Sequence, residues 1–178
     1  AEKNISSDSI IAEDTVKLAA VMSNLGEFAA SGMGQKELYT IENDLVKITL
    51  CNKGGLVYSV ELKKYKNFKK KPLILFNGDS TVFAMNFYSN QKHFISTKDL
   101  FFVPQEGEKQ ILVKETDSVK HFTLRLNAGE GQYIDYVYGL APDSYMLDFH
   151  INVNGMDRMM LGNTNAIDLK WQIYVPQQ

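Results

Sequence analysis

Residues 51–55, Cys51-Asn52-Lys53-Gly54-Gly55, separate two stretches of alternating polarity. Upstream, Val46, Ile48 and Leu50 recur at every second position. Downstream, Leu56-Val57-Tyr58-Ser59-Val60-Glu61-Leu62 resumes an apolar run that passes into a lysine-rich loop. Successive glycines after an asparagine allow positive φ where a chain reverses. The stretch therefore reads as the turn of a β-hairpin, and no chemistry attaches to it. Cys51, the single cysteine, excludes an internal disulfide and reads as a small half-buried residue at a strand end. A reactive thiol needs a cationic neighbourhood, and Lys53 alone does not supply one.

Outward from this turn the period stays at two from Leu38 onward. Thr81 to Tyr88 sets Val82 and Ala84 against Phe83, Met85 and Phe87. His121 to Leu126 sets Phe122, Leu124 and Leu126 against His121, Thr123 and Arg125. Gln132 to Leu140 places Ile134, Tyr136, Tyr138 and Leu140 on one face. Tyr145 to Val153 turns Tyr145, Leu147, Phe149, Ile151 and Val153 inward. Gln110 to Thr116 and Ile167 to Val175 read as further strands, and Leu73-Ile74-Leu75-Phe76 as a short buried one. The connections carry turn residues, among them Asn77-Gly78-Asp79, Asn127-Ala128-Gly129-Glu130-Gly131 and Ala141-Pro142-Asp143-Ser144. Short one-faced strands with polar turns predict an all-β, antiparallel β-sandwich over 38–178.

Residues 1–37 differ. Ala, Ser, Glu, Asp and Gly dominate, and Ile11, Val16, Leu18, Val21, Met22, Leu25 and Phe28 fall at helical spacing. The reading is a linker with one amphipathic helix, approximately 10–25, capped by Ser9 or Asp14-Thr15 and ended at Gly26. A flexible Ala/Ser/Gly segment follows to about Gln35. Apolar runs such as Leu18-Ala19-Ala20-Val21-Met22 reach about five residues, against the roughly 20 of a membrane span. The chain as given thus reads as lacking a transmembrane segment and a signal peptide. Its start at Ala1 reads as that of a processed or trimmed fragment.

A net charge of -2 with 44% hydrophobic and 22% charged residues is an ordinary globular balance. Nothing global draws such a chain to nucleic acid or to acidic lipid. Three histidines exist, His93, His121 and His150. The latter two sit at outward strand positions and read as cross-strand polar residues before metal ligands. Asp135 and Asp148 form no evident glycosidase pair, which needs a separation of about 5–10 Å in a concave site. No cofactor or metal set is nominated. The sharpest local bias is basic: Lys63, Lys64, Lys66, Lys69, Lys70 and Lys71 fall within nine positions, interleaved with Tyr65 and Phe68. The plain reading is a solvated hairpin whose charges discourage edge pairing. The functional reading is a lipid or partner contact, in particular with an anionic membrane surface.

The order of these pieces resembles one known family. Ile41 to Tyr65, with Asn52-Lys53-Gly54-Gly55 and Leu62-Lys63-Lys64-Tyr65, resembles the start of the large periplasmic domain of the YidC membrane protein insertases, Bacteroidetes-type members above all. Lys71-Pro72-Leu73-Ile74-Leu75-Phe76, Gly131-Gln132-Tyr133-Ile134-Asp135-Tyr136, Leu140 to Phe149 and Asp168-Leu169-Lys170-Trp171 follow in the same order. The resemblance implies a β-super-sandwich similar to galactose mutarotase. It also implies a place between the first two transmembrane helices, on the periplasmic face of the bacterial inner membrane, in a membrane-anchored protein. The implied role is non-catalytic: assisting insertion and folding of membrane proteins through Sec translocon components or nascent membrane proteins. The insertase groove of the family lies in its membrane region, so no site residue carries over. The family domain extends past the position of Trp171, which implies a partial sandwich with exposed edges or edge-strand pairing between copies. Two alternatives stand beside this reading. One is a carbohydrate-binding or mutarotase-like protein, for which only His121 or His150 with Asp148 can be nominated as acid and base. The other is a lipid-surface contact module acting through Lys63 to Lys71.

Overall fold

A computed structural model describes residues 19–21, 23–78, 81–158 and 167–174. Among these residues twelve strands follow one another: β1 (Leu38–Glu42), β2 (Val46–Cys51), β3 (Leu56–Lys66), β4 (Pro72–Asn77), β5 (Val82–Tyr88), β6 (Phe94–Ser96), β7 (Val103–Pro104), β8 (Gln110–Leu112), β9 (Lys120–Gly129), β10 (Gln132–Leu140), β11 (Leu147–Asn154) and β12 (Asp168–Gln172). They form a five-stranded sheet, β4-β3-β2-β1-β8, a four-stranded sheet, β11-β10-β9-β7, and a three-stranded sheet, β12-β5-β6.

The sandwich follows from the alternation. Ile41, Val46, Ile48 and Leu50 from the first sheet meet Phe122, Leu124, Leu126, Ile134, Tyr136, Tyr138 and Leu140 from the second in one core. Phe83, Met85, Phe87 and Ile95 of the third sheet close it. Aromatic rings fill the centre. Tyr136 lies against Phe102 at 4.7 Å and meets Phe83 and Phe149 edge-on, both at 5.5 Å. The phenol of Tyr138 donates to the carbonyl of Gly55, and the hydroxyls of Tyr136 and Thr97 share a hydrogen bond of 3.2 Å. These partners let tyrosines occupy positions that would otherwise call for phenylalanine.

The turn at 52–55 joins β2 to β3 as a hairpin, with Cys51 opposite Leu56. Gly54 and Gly55 have φ of 78° and 62°. The turn also reaches well beyond its hairpin. Asn52 accepts from the Glu37 amide at 2.7 Å and donates to the Gln35 carbonyl at 3.0 Å, fixing the approach to β1.

Several expectations change. The five-stranded sheet is not wholly antiparallel: β1 pairs β8 in parallel, Ile41 opposite Ile111. The long intervening excursion through β2 to β7 makes this possible, since parallel neighbours need a long crossover. Leu73 to Phe76 is not buried. Its strand β4 ends the sheet, and Ile74 and Leu75 are exposed. An apolar run reads the same whether its strand is central or at an edge. The strand from Gln110 stops at Leu112, although Val113 beyond it is buried. The strand read from Ile167 covers Asp168–Gln172, and Val175 lies outside the described residues.

Of the expected helix, residues 10–18 and Met22 lie outside the described residues, as do the capping candidates Ser9 and Asp14-Thr15. Residues 19–21 and 23–25 are α-helical. Gly26 breaks the helix with φ 54°, and a 3-10 helix, Gly26–Gly32, follows where a flexible segment was expected. Its Phe28 is completely buried, edge-on to Phe87 at 5.5 Å. A single aromatic inserted in the core outweighs the permissive composition around it.

Candidate functional site

The basic cluster lies on the β3–β4 hairpin, and the structure divides it. Lys63 is committed: its Nζ lies 2.5 Å from Glu42 Oε2 and donates to the Asn43 carbonyl at 2.6 Å. Burial pushes the Glu42 carboxyl up, but hydrogen bonds from Lys63 and Gln110 and the charge of Lys63 outweigh it and hold the pKa below the usual range. Lys64, Lys66, Lys69, Lys70 and Lys71 are exposed around the tip. Asn67 shapes this tip. Its side-chain oxygen accepts from the amides of Lys69 and Lys71 at 3.0 and 3.1 Å, and Lys70 takes a φ of 59°. Lys69 lies over the ring of Phe68 at 5.3 Å.

A second element completes this end of the molecule. Tyr145, in the loop between β10 and β11, meets Tyr65 of β3 with ring centroids 6.2 Å apart. The loop is held by Asn43, which donates to the carbonyls of Ala141 and Ser144, both at 2.8 Å. The side-chain oxygen of Asn43 accepts from the amides of Leu45 and Val46, also at 2.8 Å. Asn43 does not stand out in the sequence. Its position between β1 and β2 signals a turn, but nothing local reveals partners a hundred residues away.

The histidines do not form a centre. His121 and Asp148 both flank Gly139 in the register of β9, β10 and β11. A Cβ on Gly139 would lie 3.2 Å from the His121 ring and 3.4 Å from Asp148 Cβ, so the two side chains approach over a bare backbone. Both are exposed on the face of the sheet opposite the core. His150 occupies the next register row, opposite Val137. His93 lies between β5 and β6, strands of a different sheet. Among the described residues no group of three metal-ligating side chains converges. Asp135 is held bidentately by Arg125 at 2.8 Å, and the guanidinium stacks on Tyr133 at 3.6 Å. It is thus a structural ion pair. Cys51 is fully buried, and burial pushes its thiol up past the opposing influence of Lys53 and Lys36.

A different feature was not legible in the sequence. An apolar cleft of about 260 Å³ opens between the sheets, walled by Val57, Phe76, Phe83, Leu147, Phe149 and Trp171 among others. Three of the strands that wall it, β4, β11 and β12, stand at the ends of their sheets. Trp171 is 69% exposed at its rim although its ring meets Phe83 edge-on at 6.2 Å. The hydroxyl of Thr81 is buried in the wall without a hydrogen-bond partner among the described residues.

Residues 38–178 match the family model of the YidC periplasmic domain. The chain belongs to this family. The match covers every strand described above, and its start coincides with the first residue of β1. The chain is similar to the membrane protein insertase YidC of Bacteroides fragilis, 40% identical over 164 residues, which is 92% of this chain and 24% of the relative. It is 35% identical over 181 residues to that of Azobacteroides pseudotrichonymphae, covering 99% of this chain and 28% of the relative. With that of Pelodictyon phaeoclathratiforme it shares 30% identity over 181 residues, covering 98% and 30%. The chain therefore spans about a quarter of the length of the relatives it matches. Family membership makes this a periplasmic domain, and the relatives that carry it are named membrane protein insertases. Among the described residues no helix is long and apolar enough to cross a membrane.

Proposed function

We infer that this domain is a non-catalytic interaction and positioning module of a membrane protein insertase, and that its cleft receives an extended apolar segment of a membrane protein emerging on the periplasmic side. The observation that carries the reading is the apolar cleft bounded by three terminal strands. A strand at the end of a sheet offers unpaired backbone groups, and an added extended peptide satisfies them while alternate side chains enter a neighbouring pocket. Val57, Phe76, Leu147, Phe149 and Trp171 supply such a pocket without a charged group. The relatives are named membrane protein insertases, so apolar segments are what such proteins handle.

The test uses full-length insertase with a photo-crosslinking amino acid at Trp171 or Phe76. Adducts with a membrane protein arrested during insertion are expected, reduced by Phe149→Asp in the cleft. Adducts confined to the insertase's own chain would mean that the protein fills its own cleft, and the reading would be wrong. Adducts with Sec translocon components alone would overturn the choice of substrate in favour of that partner.

A further inference from the structure

We propose that the end of the sandwich formed by the β3–β4 hairpin and the β10–β11 loop is a membrane-contact site that docks on an anionic bilayer surface. This surface is separate from the cleft and does not depend on the reading given to it. Six lysines in one loop are ambiguous, because solvated basic hairpins are common. Three structural observations remove the ambiguity.

The first is the division of the lysines. Lys63 neutralises Glu42, whereas Lys64, Lys66, Lys69, Lys70 and Lys71 enter no ion pair among the described residues. Five positive charges thus sit together on a chain whose net charge is -2. The neighbouring loop adds one carboxylate, Asp143.

The second is that the tip is apolar as well as basic. Phe68 and Met146 are each 75% exposed, the highest values among the large apolar side chains described. They come from different loops, and the Tyr65–Tyr145 contact brings those loops to the same end. Tyr65 and Tyr145 are themselves exposed; Tyr145 precedes β11 and so escapes the inward placement its spacing predicts. Apolar tips ringed by lysine and tyrosine match the bilayer interface, where rings settle at headgroup level and ammonium groups meet phosphate. A nucleic-acid strand would need a basic track along its backbone, and the five lysines instead cap a single end.

The third is rigid mounting. Asn67 fixes the hairpin tip, and Asn43 clamps the second loop to the β1–β2 turn. Pre-ordered contact groups lose less conformational freedom on docking.

Vesicle flotation of the 178-residue chain tests the proposal, using phosphatidylcholine vesicles with and without phosphatidylglycerol. Binding is expected only with phosphatidylglycerol, weakening as salt is raised. Replacing Lys69, Lys70 and Lys71 singly by Gln should lower partitioning by about fivefold for each lysine removed. A Phe68→Trp variant in a Trp171→Phe background should show an emission blue-shift on the anionic vesicles alone. Circular dichroism and melting of these surface variants, unchanged from the parent, exclude misfolding. Equal binding to both vesicles, binding insensitive to the lysine substitutions, or unmoved emission from the indole introduced at position 68 would each overturn the proposal. So would absence of vesicle binding together with protein adducts from a photo-crosslinker at position 68 of the full-length insertase, which would make the tip a protein-docking site.

Discussion

Substituting Gly55 with alanine tests whether the turn at 52–55 is a mere reversal or a fitted part of the core. Gly55 has φ 62°, and a Cβ there would lie 2.7 Å from Cδ2 of Tyr136 and 3.2 Å from Cδ1 of Phe102. Both rings are essentially inaccessible to solvent and cannot swing away. Two costs add. The left-handed backbone costs alanine about 1 kcal/mol relative to glycine, and overpacking against a fixed ring costs about 1–3 kcal/mol. The sum is about 2–4 kcal/mol, which for a domain of this size lowers the melting midpoint by roughly 5–15 °C. Two other glycines separate the terms. Gly131 has φ 69° with nothing within 4 Å of a Cβ, so Gly131→Ala should show the backbone cost alone, about 1 kcal/mol. Gly107 has no such φ and no neighbour within 4 Å, so Gly107→Ala should be neutral or slightly stabilising. Urea unfolding followed by circular dichroism and tyrosine fluorescence gives the three differences, provided the two probes coincide. If Gly55→Ala and Gly131→Ala were equally destabilised, the claim that the turn is pressed onto Tyr136 would fail.

Further outcomes follow from the same contacts. Phe28→Ala should cost about 3–5 kcal/mol, because a fully buried ring leaves a cavity; a loss under about 1 kcal/mol by urea titration would show that the segment before β1 is not part of the core. Asn43→Ala removes two donated and two accepted hydrogen bonds at a buried site, with an expected loss of about 2–4 kcal/mol. Its amide-exchange signature should be selective, with the Leu45 and Val46 amides deprotected most. Lys63→Met should raise the Glu42 pKa and destabilise the fold at neutral pH, with carbon-13 NMR of the carboxyl reading the shift. Since the Glu42 pKa is depressed in the folded protein, the stability it contributes is present above its unfolded value and is lost as pH falls through the folded one. At alkaline pH the sign reverses. Burial pushes Tyr136 up to about 12, and burial with the Glu37 hydrogen bond does the same to Tyr39. Both fold as neutral phenols, so stability is full below pH about 10 and declines as pH rises from there toward 12. Tyr136→Phe should shallow that decline, measured by urea unfolding across the alkaline range, and an unchanged slope would refute it.

The hairpin at 51–55, the strands on either side and the inward faces of β9 and β10 were legible because alternation is a local consequence of burying one face of a sheet. Ile48 could be placed inward from spacing alone, while for Leu124 and Tyr136 spacing gave the shared face and the structure showed that it is the core one. Leu73 to Phe76 was misplaced because apolar spacing records what a strand can bury and not whether a neighbour arrives to cover it. The lysine tip was visible as composition, with Tyr65 and Phe68 among its lysines, while the Tyr145 and Met146 that join them were not, since they lie some eighty residues away in the chain. Phe28 falls in a helical stripe of the sequence, but its contact with Phe87 joins segments some sixty residues apart, which no local pattern encodes.

By itself, the sequence determined the class of fold, the turn that begins it and the family that shares its order of strands. Each of these rests on short-range periodicity, on glycine's freedom at positive φ, or on collinear resemblance. Tertiary structure alone decided the parallel β1–β8 pairing, which strands end their sheets, the cleft between β4, β11 and β12, and which of six lysines is neutralised. Those properties belong to surfaces assembled from distant segments. A residue's charge or apolarity is fixed in sequence, but its partner is chosen only when the sheets close on one another.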